Sequence, residues 1–257
     1  MTFRPAIMTI AGAFAAALMI FTLPQVSRAA EFSKPQTSAI EKIVHDDLVQ
    51  HPEVIEEAIQ TLQQRQQAAT AAQQKAAVRA HAKQVFAAPD HVVLGNPKGN
   101  VTFVEFFDYN CGYCKHAMGD MLTLLKSDKN LKVLLKEYPI LGPGSIEAAK
   151  VAVAVRMQAP QKYLAFHTKL LGGRGHADKA RALAVAKEIG LNMDQVRKDM
   201  NSDAVKKMLS TDITLGQTLG LNGTPSYIIG DNVVVGAVGL KELKQKIANA
   251  RCGKDSC

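Results

Sequence analysis

Two cysteines separated by two residues, Cys111 and Cys114, are the side chains in this sequence best suited to chemistry. A thiolate attacks a disulfide sulfur to give a mixed disulfide, and a second thiol nearby can release that intermediate. Residues three apart lie on one face of a helix, where their sulfurs are close enough to form a disulfide. The spacing therefore predicts thiol–disulfide exchange, with Cys111 as the attacking sulfur and Cys114 as the resolving sulfur, more buried and higher in pKa.

The flanking sequence predicts the elements that position this pair. An apolar, β-rich segment, Val101–Phe107, ends at the polar residues 108–110, and apolar residues at helical spacing follow from Met118 to Leu125. This is the pattern of a strand, a cap and a helix that begins at Cys111. Unpaired N–H groups and the positive end of the dipole favour an anion at such a helix start, so we expect the Cys111 thiolate to be stabilised.

A Cys-x-x-Cys pair also occurs in zinc sites, which need four ligands. The remaining candidates are His116 nearby and Cys252 and Cys257 at the far C-terminus, and the sequence has no second Cys-x-x-Cys and no His-x-x-x-His. The other histidines, including His167 and His176, show no metal-binding spacing, and we expect them at the surface. We therefore favour the redox interpretation and predict no metal site.

Glu105 is an acidic residue within the apolar segment. Strand alternation places its side chain on the face of Phe103 and Phe107, and the opposite face carries Val104 and Phe106. Because both faces are apolar, we predict that Glu105 is buried, which raises the pKa of a carboxyl group.

The N-terminus has the features of a secretory signal. Arg4 precedes an apolar run over residues 6–23, Pro24 ends it, and residues 27–29, Ser-Arg-Ala, place small side chains where a signal peptidase cleaves. We predict a signal peptide over residues 1–29, export, and no stable membrane insertion after its removal. A retained membrane anchor is the alternative, because the apolar run approaches spanning length.

Removing residues 1–29 lowers the formal net charge from +8 to +6 and leaves 228 of the 257 residues. That length supports one substantial core with additional elements. A basic chain can bind nucleic acid, but an exported chain without a Lys/Arg-rich run favours a solvated basic surface and no nucleic-acid partner.

The region after the signal predicts self-association. Residues 37–62 carry two apolar stripes at helical spacing, interrupted at Pro52. The stripes are Ile40, Ile43, Val44 and Leu48, then Val54, Ile55, Ala58, Ile59 and Leu62. Residues 63–77 contain six glutamines, six alanines and no large apolar side chain, so we predict a solvated stalk. The stripes then need another surface to cover them, and a second copy of the chain is the most economical one.

Residues 87–90 mark the predicted boundary between this helical region, 30–86, and a body over residues 87–251. Strand-like segments flank a long stretch of helical spacing at about residues 145–219, which predicts an α/β sheet with a helical insertion. In the tail, residues 252–257, we predict a small Cys252–Cys257 disulfide that adds little stability. A soft-metal site for Cu(I) is the lesser alternative.

Four segments resemble the DsbA-type thioredoxin-fold proteins of Gram-negative bacteria, and within them the suppressor-of-copper-sensitivity (ScsC) branch. They are Gly-Asn-Pro-Lys-Gly at 95–99, Val-Glu-Phe-Phe-Asp-Tyr-Asn-Cys-Gly-Tyr-Cys-Lys at 104–115, Lys-Glu-Tyr-Pro-Ile-Leu-Gly at 136–142 and Gly-Thr-Pro-Ser at 223–226. The resemblance, over residues 37–250, implies a thioredoxin fold with a helical insertion, preceded by a trimerisation stalk. Gly119 departs from the pattern, because the family commonly has a helix-kinking proline there.

The resemblance also implies roles for individual residues. Thr224-Pro225 matches the cis-proline segment that faces the two cysteines in thioredoxin folds, and Thr224 is expected to touch the sulfurs and help set the redox potential. Glu105 matches a buried acid thought to shuttle a proton to the second cysteine. No metal or organic cofactor is needed for the exchange. We assign substrate binding to Gly112, Tyr113, Thr224 and Pro225.

The direction of catalysis stays open at this point. An oxidase works as a monomer and is kept oxidised, whereas an isomerase is kept reduced and profits from several active sites around one substrate. The stalk and Thr224 favour a periplasmic disulfide isomerase or reductase that acts on misfolded or thiol-containing proteins and has a membrane redox partner. The alternatives are a DsbA-like dithiol oxidase and a copper-binding or copper-tolerance protein that uses the same thiols.

Overall fold

The computed structural model describes residues 32–86, 91–253 and 257. The predicted signal peptide, residues 1–29, and the predicted domain boundary at residues 87–90 lie outside the described residues. Within the described ranges, every helix is too short or too polar to cross a bilayer.

A five-stranded mixed sheet organises residues 60–257, with strand order β1-β3-β2-β4-β5. The strands are β1 (Val93–Gly95), β2 (Val101–Phe107), β3 (Leu131–Glu137), β4 (Ser226–Ile229) and β5 (Asn232–Val235). β2 and β3 are parallel, and β1–β3, β2–β4 and β4–β5 are antiparallel. Phe107 pairs with Glu137, so both central strands end at the same edge of the sheet.

Ten α-helices occur within the described residues. They are α1 (Lys34–Gln50), α2 (Glu53–Ala80), α3 (Ala82–Phe86), α4 (Gly112–Ser127), α5 (Pro143–Gln158), α6 (Tyr163–Gly172), α7 (Lys179–Glu188), α8 (Met193–Asp199), α9 (Asp203–Thr218) and α10 (Leu240–Cys252). A short 3₁₀ helix, Pro160–Lys162, precedes α6. α4 continues through Gly119 without interruption.

The sheet separates two apolar cores. Phe103 and Phe107 face a large core that includes side chains of α4, α10 and the inserted helices. Val104 and Phe106 face a second core on the other side. Both sets are buried because alternate residues of a strand point to opposite faces, and helices cover each face here.

The inserted helices α5 to α9 lie in the chain between β3 and β4, as the helical spacing predicted. Most of α5 is buried, with Val151, Ala152 and Val155 all in the large core. The α/β sheet with a helical insertion is therefore confirmed.

The end of α2 and α3 contribute to the second core. Val78 and Val85 are 1% and 0% exposed, although they belong to the region predicted as helical stalk. Gln74 donates to the Gly220 carbonyl at 3.3 Å, and Arg79 forms an ion pair with Asp231. Solvation of the stalk sequence is thus confined to the part before these contacts, and residues from Gln74 to Phe86 help to bury one face of the sheet.

The two N-terminal helices leave their apolar stripes uncovered among the described residues. α1 ends at Gln50 and α2 begins at Glu53, around Pro52, as predicted. Leu48 is half-buried, and the large stripe side chains that are 42–67% exposed are Ile40, Ile43, Val44, Val54, Ile55, Ile59 and Leu62.

We expect Val85→Ala to lower the free energy of unfolding by about 2 kcal/mol, because it removes two buried methyl groups and leaves a cavity. Val235→Ala is the matched control, since Val235 is 46% exposed. It should change this free energy by less than about 0.5 kcal/mol. Urea unfolding followed by circular dichroism measures both. Equal losses from the two variants would contradict the burial of α3 against the sheet.

Candidate active site

Cys111 caps the N-terminus of α4. Its backbone is extended (φ −82°, ψ 114°), and its sulfur accepts a hydrogen bond from the backbone N–H of Cys114 at 3.4 Å. Polar residues 108–110 stop β2, so the helix starts directly at the end of a central strand. One N–H group of this helix start, that of Cys114, faces the sulfur.

The segment before β4 supplies the other contact of this sulfur. The Thr224–Pro225 peptide bond is cis, as the resemblance implied. The Cys111 Sγ lies 3.1 Å from the Thr224 carbonyl oxygen, to which the protonated thiol donates. The structure thus brings Cys111 and Thr224 together through the backbone of Thr224.

Cys114 lies deeper in the core than Cys111, which is itself only 7% exposed. Cys114 is fully buried, and both cysteines are free thiols. Burial raises the pKa of the Cys114 thiol well above its ordinary value, and the charge of Glu105 raises it further. A hydrogen bond from the Asp108 backbone acts in the opposite direction. Cys114 is therefore held as a neutral thiol that needs a proton acceptor before it can attack.

Glu105 lies beneath the cysteines on the face of β2 that carries Phe103 and Phe107. It is 1% exposed, and its Oε2 has no hydrogen-bond partner among the described residues. Burial raises the pKa of its carboxyl group to about 8. Near neutral pH both protonation states are therefore accessible, as a proton donor and acceptor requires.

Gly112 and Tyr113 lie at the exposed surface of the first turn of α4. The Tyr113 ring is 71% exposed, which leaves an aromatic side chain in solvent beside Cys111. Ile140 and Leu141, 41% and 50% exposed, follow β3 at the same edge of the sheet. An extended, apolar polypeptide segment is the kind of substrate that such a surface can contact.

The prediction that His167 lies at the surface is wrong. This histidine is 1% exposed, and its ring lies edge-on to Phe107 with centroids 4.6 Å apart. Burial lowers its pKa to about 3, so it packs as a neutral aromatic side chain. It lies on the inward face of α6 with Tyr163, Phe166 and Leu170, and that spacing could have revealed its burial. His176 is exposed, as predicted.

Sequence reasoning also gave no role to Asp108 and Asn110, which it treated only as the end of a strand. Asp108 is 1% exposed, and its carboxylate accepts from the backbone N–H groups of Asn110 and Leu141. A short polar residue just before a helix is a capping signal, but nothing in the sequence indicates the distant partner.

At the C-terminus, Cys252 and Cys257 form a disulfide, as predicted for the tail. Within the ranges that the structure describes, no three or more His, Cys, Asp or Glu side chains are grouped to hold a metal ion.

Two known protein families match parts of this chain. The model of the DSBA-like thioredoxin domain family matches residues 102–248, which is more than half of the chain. The model of the Copper resistance protein ScsC N-terminal domain matches residues 36–69, which include both apolar stripes.

Solved structures agree with the family match. A thioredoxin-like oxidoreductase from Silicibacter pomeroyi is 42% identical, with 66% of this chain and 97% of that chain covered and a TM-score of 0.63. The thiol-disulfide exchange protein alpha-DsbA2 from Wolbachia pipientis is 33% identical, with coverages of 68% and 95% and a TM-score of 0.64. A linker-deletion mutant of Proteus mirabilis ScsC is 25% identical, with coverages of 88% and 100% and a TM-score of 0.65.

Among curated relatives, this chain spans only 25% of the length of the Na(+)/H(+) antiporter NhaA 1 of Salinispora arenicola, to which it is 25% identical over 166 residues. The shared part therefore does not represent the whole antiporter. The match over residues 102–248, the sheet with its inserted helices and the solved relatives all agree that this chain belongs to the DSBA-like thioredoxin domain family.

Proposed function

We propose that this protein exchanges disulfides with protein substrates through Cys111 and Cys114. The observation that carries the proposal is the placement of the two sulfurs. Cys111 lies at a helix start where an N–H group faces its sulfur, and Cys114 lies one turn further on in the core. A reactive sulfur next to a protected, resolving sulfur is the arrangement that two-step thiol–disulfide exchange requires.

In the reducing direction, the Cys111 thiolate attacks one sulfur of a substrate disulfide. The S–S bond breaks, one substrate sulfur leaves as a thiolate, and a mixed disulfide joins the other to Cys111. Cys114 then loses its proton and attacks the Cys111 sulfur. This forms the Cys111–Cys114 disulfide and releases the second substrate thiolate, so two electrons pass from protein to substrate. Oxidation of a substrate dithiol follows the same steps in reverse.

Glu105 is proposed as the group that takes the Cys114 proton and returns it in the reverse direction. Its carboxylate is buried on the side of β2 that faces the large core, where Cys114 also lies. The electrostatic coupling between the two groups supports this role, because a negative Glu105 opposes ionisation of Cys114 until the proton has moved between them.

Substrate binding is proposed for Gly112, Tyr113, Thr224 and Pro225. The two segments meet at Cys111, because its sulfur contacts the Thr224 carbonyl. A bound extended segment would lie between the exposed Tyr113 ring and the backbone of Thr224, with its own sulfur at Cys111. Recognition through backbone groups and one aromatic ring suits substrates of varied sequence.

We further propose a homotrimer with isomerase or reductase activity in the periplasm, reduced by a membrane redox partner. Each large apolar side chain moved out of water contributes on the order of 1.5–3 kcal/mol, so covering two exposed stripes favours association. The match to the ScsC N-terminal domain supports this role for α1 and the start of α2. Association would place several Cys111 sites around one substrate, which favours isomerisation over simple oxidation.

The predicted export signal, outside the described residues, supports the location. The copper-tolerance alternative is supported only by the description of the N-terminal family.

The first prediction separates the roles of the two sulfurs. Cys111→Ser should abolish reduction of insulin, because it removes the attacking thiolate, whereas Cys114→Ser should accumulate mixed disulfides that non-reducing electrophoresis detects. The Cys252→Ser/Cys257→Ser double variant is the control and should keep near-parental activity. Substantial exchange by Cys111→Ser would sink the mechanism.

The second prediction concerns Glu105, with Glu137 as its matched control. Both carboxyl groups are 1% exposed and both have a pKa raised by burial to about 8, but Glu137 accepts from the Tyr163 hydroxyl at 2.8 Å. Glu105→Gln should slow resolution of the mixed disulfide about 100-fold, the lower range for a lost general acid or base. Glu137→Gln should leave this step unchanged. Stopped-flow mixing of the reduced protein with a disulfide-bonded peptide measures it.

The raised pKa values of Glu105 and Glu137 predict that the stability of the protein depends on pH. A folded-state pKa raised from 4.5 to about 8 means that the unfolded chain loses the proton first as pH rises. The contribution of each acid to stability is therefore fully present below pH 4.5 and is lost as pH approaches 8. Each Gln variant should lose less free energy of unfolding over this range than the parent, in urea titrations at several pH values. A parental slope in both variants would contradict the raised pKa values.

The oligomer prediction uses the full mature chain, because truncation at residue 87 would remove the buried Val78 and Val85. Ile43→Asp with Ile55→Asp should convert a trimer to a monomer that still reduces insulin but loses most isomerisation of a scrambled multi-disulfide protein. Gln66→Asp is the control. Light scattering gives the masses, and a monomeric parent at micromolar concentration would overturn the proposal.

A further inference from the structure

The loop between β2 and α4 is fastened to the helical insertion by two side chains, Asp108 and Asn110. The backbone N–H of Cys111 donates to the Asp108 carbonyl at 3.1 Å, which closes the turn that leads into α4. The Asp108 carboxylate accepts from the Asn110 N–H at 2.8 Å through Oδ1 and from the Leu141 N–H at 2.9 Å through Oδ2. One side chain thus holds the turn closed and ties it to the segment that leads into α5.

Asn110 makes three further bonds to the insertion. Its Oδ1 accepts from the Ala177 N–H at 2.7 Å, and its Nδ2 donates to the Ala177 carbonyl at 2.9 Å. Nδ2 also lies 2.9 Å from the hydroxyl oxygen of Ser145 in the first turn of α5. Ser145 and Ala177 are 0% and 2% exposed and Asn110 is half-buried, so water competes only in part for these bonds.

The partners come from three separate places: the segment that joins β3 to α5, the first turn of α5 and the loop between α6 and α7. Asn110 is also the residue immediately before Cys111. A shift of this loop would move the Cys111 sulfur relative to the Cys114 N–H and the Thr224 carbonyl, its two contacts at 3.4 and 3.1 Å.

We infer that Asp108 and Asn110 are positioning residues through which the helical insertion holds the Cys111 sulfur at the N-terminus of α4. This inference rests on the proposed function, because it assigns Cys111 as the attacking sulfur. The insertion then does more than enlarge the core, since it sets the reactivity of a thiol that it does not contain. The bonds of Asp108 and Asn110 thus form a clamp between the loop and the insertion. Loss of this clamp lets the sulfur leave the helix start, so the thiolate and the dithiol state that contains it lose stabilisation.

The test compares Asn110→Ala with Asn96→Ala. Asn96 forms a similar clamp, in which Nδ2 donates to the Lys129 carbonyl and Oδ1 accepts from the Lys98 N–H, both at 2.9 Å. This second clamp lies beyond the start of β2 and β3, at the edge of the sheet opposite Cys111. The variants therefore remove asparagine side-chain bonds near to and far from the sulfur.

Two readouts report on the sulfur itself. One is the rate of Cys111 alkylation by iodoacetamide at pH 6, mapped by mass spectrometry, since only the thiolate reacts. The other is the equilibrium in which the Cys111–Cys114 disulfide and two glutathione thiols yield the protein dithiol and glutathione disulfide. Asn110→Ala should lower the alkylation rate and shift the equilibrium toward the protein disulfide, each about tenfold, the effect of about one lost hydrogen bond.

Asn96→Ala should change both values less than twofold, although it too lowers the midpoint of thermal unfolding. Asn110→Gln keeps a neutral amide, but its extra methylene displaces that amide from Ala177 and Ser145, so it should give a smaller change in the same direction. It also serves as the test if Asn110→Ala does not fold. Parental alkylation and glutathione values in the Asn110 variants, or equal changes in Asn96→Ala, would overturn the inference.

Failure of the proposed function looks different in these experiments. A parent protein that does not reduce insulin, or that keeps its activity in Cys111→Ser, would refute the function. The comparison of alkylation rates between parent and Asn110 variants still measures the positioning of the sulfur by itself.

Discussion

The rest of the site depends on the placement of one sulfur at the start of one helix. The Cys111 sulfur faces the Cys114 N–H at 3.4 Å, and the same helical turn brings the Cys114 side chain into the core behind it. This helix start has to lie at the ends of β2 and β3, because the two parallel strands are joined through α4. The insertion leaves β3 at that edge, and the Thr224–Pro225 segment enters β4 there.

Opposite electrostatic environments divide the chemistry between the two cysteines. The Cys114 N–H faces the Cys111 sulfur, whereas burial and the charge of Glu105 raise the pKa of the Cys114 thiol. The same burial raises the pKa of Glu105 to about 8 and makes it a proton acceptor suited to its neighbour. These surroundings support the proposed order of steps, attack by Cys111 and resolution by Cys114.

Helices cover both faces of the sheet, and the residues that cover a face also have a second role. The insertion fills the large core with α5 and also fastens the active-site loop through Asp108 and Asn110. On the other face, Val78 and Val85 bury apolar surface of the sheet at the end of the N-terminal helices. Both covering layers therefore support β2, the strand that leads to Cys111.

The sequence alone determined what depends on neighbours along the chain. Alternation predicted the burial of Glu105, and spacing predicted that Cys111 and Cys114 lie at a helix start, whereas their redox role stays a prediction. The Cys252–Cys257 disulfide predicted for the tail also forms. Helical spacing and family-like segments predicted the inserted fold. Only the tertiary structure decided which distant segments meet. It placed Ser145 and Ala177 against Asn110, buried His167 beneath the strand end, and packed the end of a polar stalk on the sheet. Periodicity shows which face of an element is apolar, but the partner of that face is set by how all the elements pack together.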